Sequence, residues 1–261
     1  MEPPKLLPLT KAACGFTDLR LVIFASSPIE GHAQLFQDFF ERQPDSESKN
    51  NVDGRNVLSA TVNGATLSAS FIAQRGDFFI SSGQQLTKPR FVPSSTAQKP
   101  IDDFTVAAES KELLNDFKTS ATAVVAKIPH IQRISVVQQF LWSASSTRDA
   151  LEKLKPMLTA VPLDIDGIAD FFYRVNRIRV IPETEIQVNR VGDWSVVKML
   201  FANVQAGMPK PLMKILTAAS VKTDINTVPD EKDSLNSADT CQKVVSAMFD
   251  YSSEVREKGD V

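Results

Sequence analysis

Histidine and cysteine are nearly absent from this chain, with two of each in 261 residues. Cys14 and Cys241 lie near opposite ends of the sequence, so neither a disulfide framework nor a thiolate metal cluster can be built from them. Both read as small apolar residues for a core. His32 and His130 lack a second histidine four residues away, or any other motif partner that a zinc site or a catalytic triad requires. They read as surface or capping residues. The ten glycines are scattered singly, so no phosphate-cradling loop of Walker or Rossmann type can be found, and nucleotide hydrolysis and hydride transfer are disfavoured. No apolar run approaches the length of a membrane span. Pro3, Pro4 and Pro8 interrupt residues 1–9, where a signal peptide would need a continuous apolar stretch, and a cytoplasmic location is the resulting expectation. Charge of one sign is lacking too: 29 basic against 31 acidic residues leave a net charge of −2, so any basic surface must be local. No metal, no cofactor and no catalytic residue is expected from these patterns.

What is present is an ordinary globular composition, 43% hydrophobic and 23% charged, arranged in an order of elements that occurs twice. In the first half, Phe16, Leu19, Leu21 and Ile23 predict a strand, and Leu35, Phe36, Phe39 and Phe40 predict a helix over 29–42. Residues 43–55 read as an exposed loop. Strands over 57–62 and 67–73 flank Asn63-Gly64, a strong hairpin signal because both residues tolerate positive φ, and 78–81 forms a third strand. The Pro/Ser/Thr/Gln-rich stretch 83–99 reads as disordered. Leu113, Leu114, Phe117, Ala121, Val124 and Val125 then predict a helix over 106–127, stopped at Ile128-Pro129.

The second half repeats that order. A strand over 131–142 precedes a helix over 147–158 capped by Ser146 or Thr147. Strands follow over 171–180, 185–191 and 194–204, with Pro182 and Gly192-Asp193 as punctuation, and a further strand over 221–228. A closing helix begins at Asn236 or Ser237, with Cys241, Val244, Val245, Met248, Phe249 and Val255 on its buried face. The charged end, 254–261, is expected to fray. The fold class is therefore α+β: two related βαβββα-like halves, 1–128 and 129–261, in one body, forming a mostly antiparallel sheet with helices on one face. The element order is broadly similar to the duplicated saddle of the TATA-binding protein, a similarity of architecture that carries no function.

Chemistry is concentrated in the second half. Residues 170–179 and 188–195 hold the chain's densest mixture of arginine, asparagine and aromatic side chains. Adjacent antiparallel strands would bring Arg174, Asn176, Arg177, Arg179, Asn189 and Arg190 toward one region, although alternation divides them between two faces. Guanidinium forks and amides can read carboxylate, phosphate or base edges, and Tyr173 or Trp194 could stack or anchor. The plainer reading is a set of solvated strand positions balanced by Asp170, Glu183, Glu185 and Asp193. Asp164 and Asp166 lack the glycine and closing glutamate of a calcium loop and read as a polar turn, and Arg75-Gly76-Asp77 reads as a hairpin turn. The Arg-Val-Asn-Arg-Ile-Arg run at 174–179, the Asn189-Arg190 and Trp194-Ser195 pairs, and Thr223-Asp224-Ile225-Asn226 resemble segments of sporadically distributed, uncharacterised bacterial proteins, sometimes found near mobile or defence genes. That resemblance implies a bacterial context and supplies no activity. The functional expectation is a non-enzymatic binding or assembly subunit for a protein partner, or a homo-oligomer, using the sheet face or these strands. Nucleic-acid binding by the same strands, and an enzyme of unrecognised class, are the alternatives.

Overall fold

Strict alternation in the first strand sets the plan of the molecule. In the computed structural model, which describes residues 14–62, 65–82, 107–108, 111–203, 212–228, 235 and 237–260, β1 (Cys14–Ala25) turns Leu19, Leu21 and Ile23 to the core and Asp18, Arg20, Val22 and Phe24 to the other side. Helix α1 (His32–Phe40) follows and buries Leu35, Phe36, Phe39 and Phe40, the face its spacing predicts. Each such side chain contributes about 1.5–3 kcal/mol on burial. The segment expected to be loop contains a four-residue edge strand, β2 (Ser46–Lys49), whose polar residues are all exposed, so apolar periodicity could not mark it. β3 (Asn56–Val62) and β4 (Ala65–Ile72) pair down to Val62 opposite Ala65, as a two-residue hairpin requires, although Asn63 and Gly64 lie outside the described residues. β5 (Arg75–Ser82) returns beside β1. The disorder expected at 83–99 also falls outside the described residues. The two-residue β6 (Ala107–Ala108) pairs with Gly15 and Phe16, and α2 (Lys111–Val125) starts later than the expected 106.

The second half opens with β7 (Ile131–Ala144), which lies against β1 along its whole length. α3 (Thr147–Leu154) is capped by Ser146, which accepts from the Asp149 N–H, and Pro156 lies in the 3₁₀ turn Lys155–Met157 that follows. β8 (Phe172–Val180) leads to β9 (Gln187–Asn203), one continuous strand, so the break expected at Gly192-Asp193 does not occur. β10 (Leu212–Thr227) begins well before the expected residue 221. α4 (Ala238–Lys258) starts at its Ser237 cap and buries the expected face together with Ser252.

Among the described residues nine strands form one antiparallel sheet in the order β2-β3-β4-β5-β1-β7-β10-β9-β8, with β6 beside β1. In each half the first strand lies at the centre and the later strands return to it as a meander from the outside, four (β2 to β5) in the first half and three (β8 to β10) in the second, so the α+β expectation holds and the halves are alike in outline but not in strand number. The described helices pack on one face. Phe39 of α1 stacks on Phe78 of β5 at 4.6 Å and meets Phe117 of α2 edge-on at 5.0 Å, and Phe117 contacts Phe249 of α4 at 5.9 Å. This aromatic chain joins three helices to the sheet. No described helix is long and apolar enough to cross a membrane.

Cys241 is buried at the start of α4, its Sγ 3.1 Å from the Leu235 carbonyl oxygen, and burial pushes its thiol up to about 11. Its thiolate fraction at pH 8 should therefore be about 100-fold below that of an ordinary thiol. Site-resolved alkylation by mass spectrometry should find Cys241 protected in the native protein and reactive after denaturation.

Candidate functional site

Strand parity divides the Arg/Asn-rich residues into two sets with different surroundings. Tyr173 lies opposite Trp194, Val175 opposite Gly192 and Arg177 opposite Arg190, all on the helix-covered face, which Arg179 shares. Arg174 lies opposite Asp193, Asn176 opposite Val191 and Ile178 opposite Asn189 on the helix-free face. The structure thus brings Arg174, Asn176 and Asn189 together, and separately gathers Tyr173, Arg177, Arg179, Arg190 and Trp194.

The helix-side set holds the end of α4. Arg190 is 2% exposed and donates to Glu254 at 2.9 Å, an ion pair that opposes the cost burial places on its charge. Arg177 donates through Nε and Nη2 to the Asp260 carbonyl oxygen at 2.9 and 2.6 Å. The Asp260 carboxylate accepts from the Thr159 N–H and hydroxyl at 2.9 and 2.8 Å and from the Ala160 N–H at 3.2 Å. Burial opposes ionisation of Asp260, but these bonds, with one from Tyr173, outweigh it and hold the carboxyl below its ordinary value. The charged end therefore does not fray through Asp260, which is 1% exposed. Gly259 closes α4 at φ 79°, and a Cβ there would collide with the Met157 carbonyl. Trp194 is fully buried with Ala150, Leu154 and Val221, and its ring lies over Gly192 so closely that a Cβ would sit 2.8 Å from Cζ3. That contact is why β9 runs straight through a Gly-Asp pair.

The helix-free face carries a row of polar side chains across four strands. Asn176 donates to Asn189 at 3.0 Å, and Asn189 donates to Asn226 at 3.2 Å. Asn226 also accepts from Arg133 at 3.1 Å and donates to Asp224 at 3.1 Å, while Ser135 donates to Asp224 at 2.8 Å. A neighbouring set of charges comprises Arg174, paired with Asp193 at 3.4 Å, and Arg20, paired with Asp18 at 3.2 Å. Burial raises the carboxyls of both Asp18 and Asp193, and in each case the arginine and Lys222 oppose it. Arg133, Ser135, Asp224, Asn226 and Lys222 were not among the residues expected at this site. Their signal was polar residues at every second strand position, legible only once β7 and β10 are known to be neighbours.

Apolar groups lie on both sides of this polar row. Leu141 and Ala218 pack with Met199 and Leu216. On β8, Phe172, Ile178 and Val180 are 66%, 61% and 55% exposed. The histidines have local partners: His32 stacks on Phe71 at 4.2 Å and bonds to the Ile29 carbonyl and the Asn56 amide, while His130 occupies a positive-φ turn position. Asp164 accepts from the Asp166 N–H, a polar turn as expected. Among the described residues no group of three or more His, Cys, Asp or Glu side chains could hold a metal ion. Between α3 and residues 163–166 lies an open groove of about 440 Å³, where Arg148 pairs with Glu152 and Asp166. Comparison with family models, curated proteins and solved structures gives no match to this chain.

Two outcomes test the division between the faces. Gly192→Ala forces the Trp194 ring aside and should destabilise by about 1–3 kcal/mol in denaturant unfolding. The depressed Asp260 carboxyl contributes stability that is fully present above the unfolded aspartate value and is lost as pH falls through the folded one. Asp260→Asn should therefore flatten the acid limb of a stability-versus-pH curve.

Proposed function

We propose that this protein is a non-enzymatic binding or assembly subunit that engages a protein partner through the β8 side of its helix-free sheet face. The observation that carries this reading is the exposure of Phe172, Ile178 and Val180 beside Arg174 and Asn176. Isolated apolar residues on a surface need no explanation, but three on one strand, beside amide and guanidinium groups, form the mixture of anchor and polar rim found at protein interfaces. The polar row behind them offers hydrogen-bonding groups already held in place, which lowers the ordering cost of association.

The charges favour a protein over a nucleic acid. Arg174, Arg20 and Arg75 on this face are each paired with an aspartate, at 3.4, 3.2 and 2.8 Å, and Lys222 stands beside Asp18 and Asp193. Phosphate binding draws on cations free to replace counterions, and these are already matched by carboxylates. The bacterial setting suggested by the sequence resemblance belongs to this proposal as context.

Immobilised protein should capture its partner from nuclease-treated host extract, and capture should persist at moderate salt. Arg174→Glu combined with Ile178→Asp should abolish it; because the new carboxylate stands opposite Asp193, thermal unfolding of the double variant checks that it remains folded. Retained capture by the double variant would refute the site. Loss of the captured material on nuclease treatment, with a steep salt dependence, would refute the protein reading in favour of nucleic acid.

A further inference from the structure

The two edges of the sheet are built differently. β2 is four residues long, Ser-Glu-Ser-Lys, and fully exposed: short and charged, as strands that resist further pairing are. β8 has nine residues and carries three of the five large apolar side chains that are strongly exposed among the described residues. No described strand pairs with its outer edge.

Hydrogen bonds at its ends show which groups face outward. The Phe171 carbonyl accepts from the Val196 N–H at 3.1 Å, and the Ile181 N–H donates to the Ile186 carbonyl at 2.8 Å. Bonding sites alternate along an antiparallel strand, so Tyr173, Val175, Arg177 and Arg179 direct their main-chain groups to β9. Phe172, Arg174, Asn176, Ile178 and Val180 direct theirs to the free edge, where the Val180 carbonyl already accepts one bond from the Tyr251 hydroxyl of α4 at 3.3 Å and keeps its second lone pair.

We infer that this edge pairs antiparallel with β8 of a second copy of the chain, about a two-fold axis at Asn176, joining two sheets into one. The inference rests on the protein-partner reading above and names that partner. Narrow antiparallel pairs form between outward-facing residues, so the register must set each of them opposite another, which a two-fold axis at any residue from Arg174 to Ile178 does for part of the strand. Only an axis at Asn176 pairs all five outward residues of each strand. Centring on Val175 leaves Val180 without a partner in β8, centring on Arg177 leaves Phe172 without one, and centring on Arg174 or Ile178 strands the far end.

That register is complementary in side chains as well. On the helix-free face Phe172 meets the second copy's Val180, Arg174 lays its aliphatic stem against the second copy's Ile178, and the two Asn176 amides face each other. On the other face Tyr173 lies opposite Arg179, a cation–π arrangement, and Val175 lies opposite Arg177. No arginine is placed directly opposite an arginine. The two Arg174 residues lie four positions apart, about 13 Å along the strand, and each is paired with its own Asp193. The closest like charges are the two Arg177 groups, each held against the Asp260 carbonyl. A single strand pair buries less than the roughly 1,600 Å² of a standard interface, so the dimer should have a micromolar dissociation constant.

Sedimentation equilibrium across the micromolar range should show a reversible monomer–dimer equilibrium. Asn176→Pro removes an N–H that faces the free edge and leaves the main-chain ladder to β9 untouched, so it should give a folded monomer that lacks, besides the dimer, only the side-chain bond to Asn189. Ile178→Arg sets an arginine opposite Arg174 and should weaken the dimer by at least about tenfold. Asn176→Cys should be linked to its own copy by a short bis-maleimide, whereas Ser48→Cys on the opposite edge should not. A wild-type monomer throughout the range, a dimer indifferent to both substitutions, or an unlinked Asn176→Cys variant would overturn the inference. A monomeric wild type that still captures a nuclease-resistant protein, lost in the Arg174→Glu and Ile178→Asp variant, would overturn the dimer and leave the partner reading standing.

Discussion

One-sided coverage is the constraint on which the rest depends. The described helices pack against one face of a nine-stranded sheet, so the side-chain period of two decides the fate of every strand residue. Arg177 and Arg174 are three residues apart on one strand, each followed by a β-branched residue, yet one is held against the end of α4 and the other lies on the helix-free face beside Asp193. A one-residue slip of β8 would exchange these roles. The similar outline of the two halves, which differ by one meander strand, follows from the same constraint, since each meander must return its strands to the centre with apolar residues toward the helices. It is a fact about architecture and does not by itself establish common origin.

The helix-covered face shows how polar residues are used when they cannot be left to water. Arg190 is buried and would be costly alone, so Glu254 from α4 pairs with it. Asp260 is likewise buried, and takes its bonds from Thr159 and Ala160. Gly259 allows the chain to turn against Met157. These contacts join α4 to β8, β9 and the turn after α3, four segments distant in sequence. Thr223 and Ser252, whose hydroxyls lie 2.5 Å apart, make a similar contact in the middle of the helix. The positive charge that composition alone assigns to recognition is therefore partly spent on fastening a helix.

Much of the fold was legible because it rests on period. The aromatic face of α1, the hairpin flanks at Val62 and Ala65, and the buried face of α4 all follow from spacing and turn chemistry. What was not legible depends on contacts between distant residues. Gly192-Asp193 has the composition of a turn, and only the Trp194 ring lying over Gly192 makes it the interior of a strand. The four polar residues of β2 carry no apolar pattern, and their pairing with β3 alone makes them a strand. The fraying expected after residue 254 missed Asp260 because its partners lie about a hundred residues earlier. At the candidate site, arginine and asparagine identified the right strands, while Asp224, Asn226, Arg133 and Ser135 joined them only through a strand order that the sequence does not spell out.

The helix-free face is polar without being fully satisfied, and this bears on what can occupy it. Among the described residues, Asp18 Oδ1, Arg20 Nε and Arg133 Nε are buried atoms on this side with no hydrogen-bond partner. Their cost is already borne by the folded chain; what a wholly apolar partner would strand is the exposed Arg174 and Asn176 groups, at about 1–3 kcal/mol each. A highly charged partner would have to break ion pairs already formed. The surface that costs least is one mixing apolar side chains with amides and hydroxyls. β8 itself has part of that character in Phe172, Asn176, Ile178 and Val180, and so the strand that presents the surface is also chemically fitted to be one of the segments it receives.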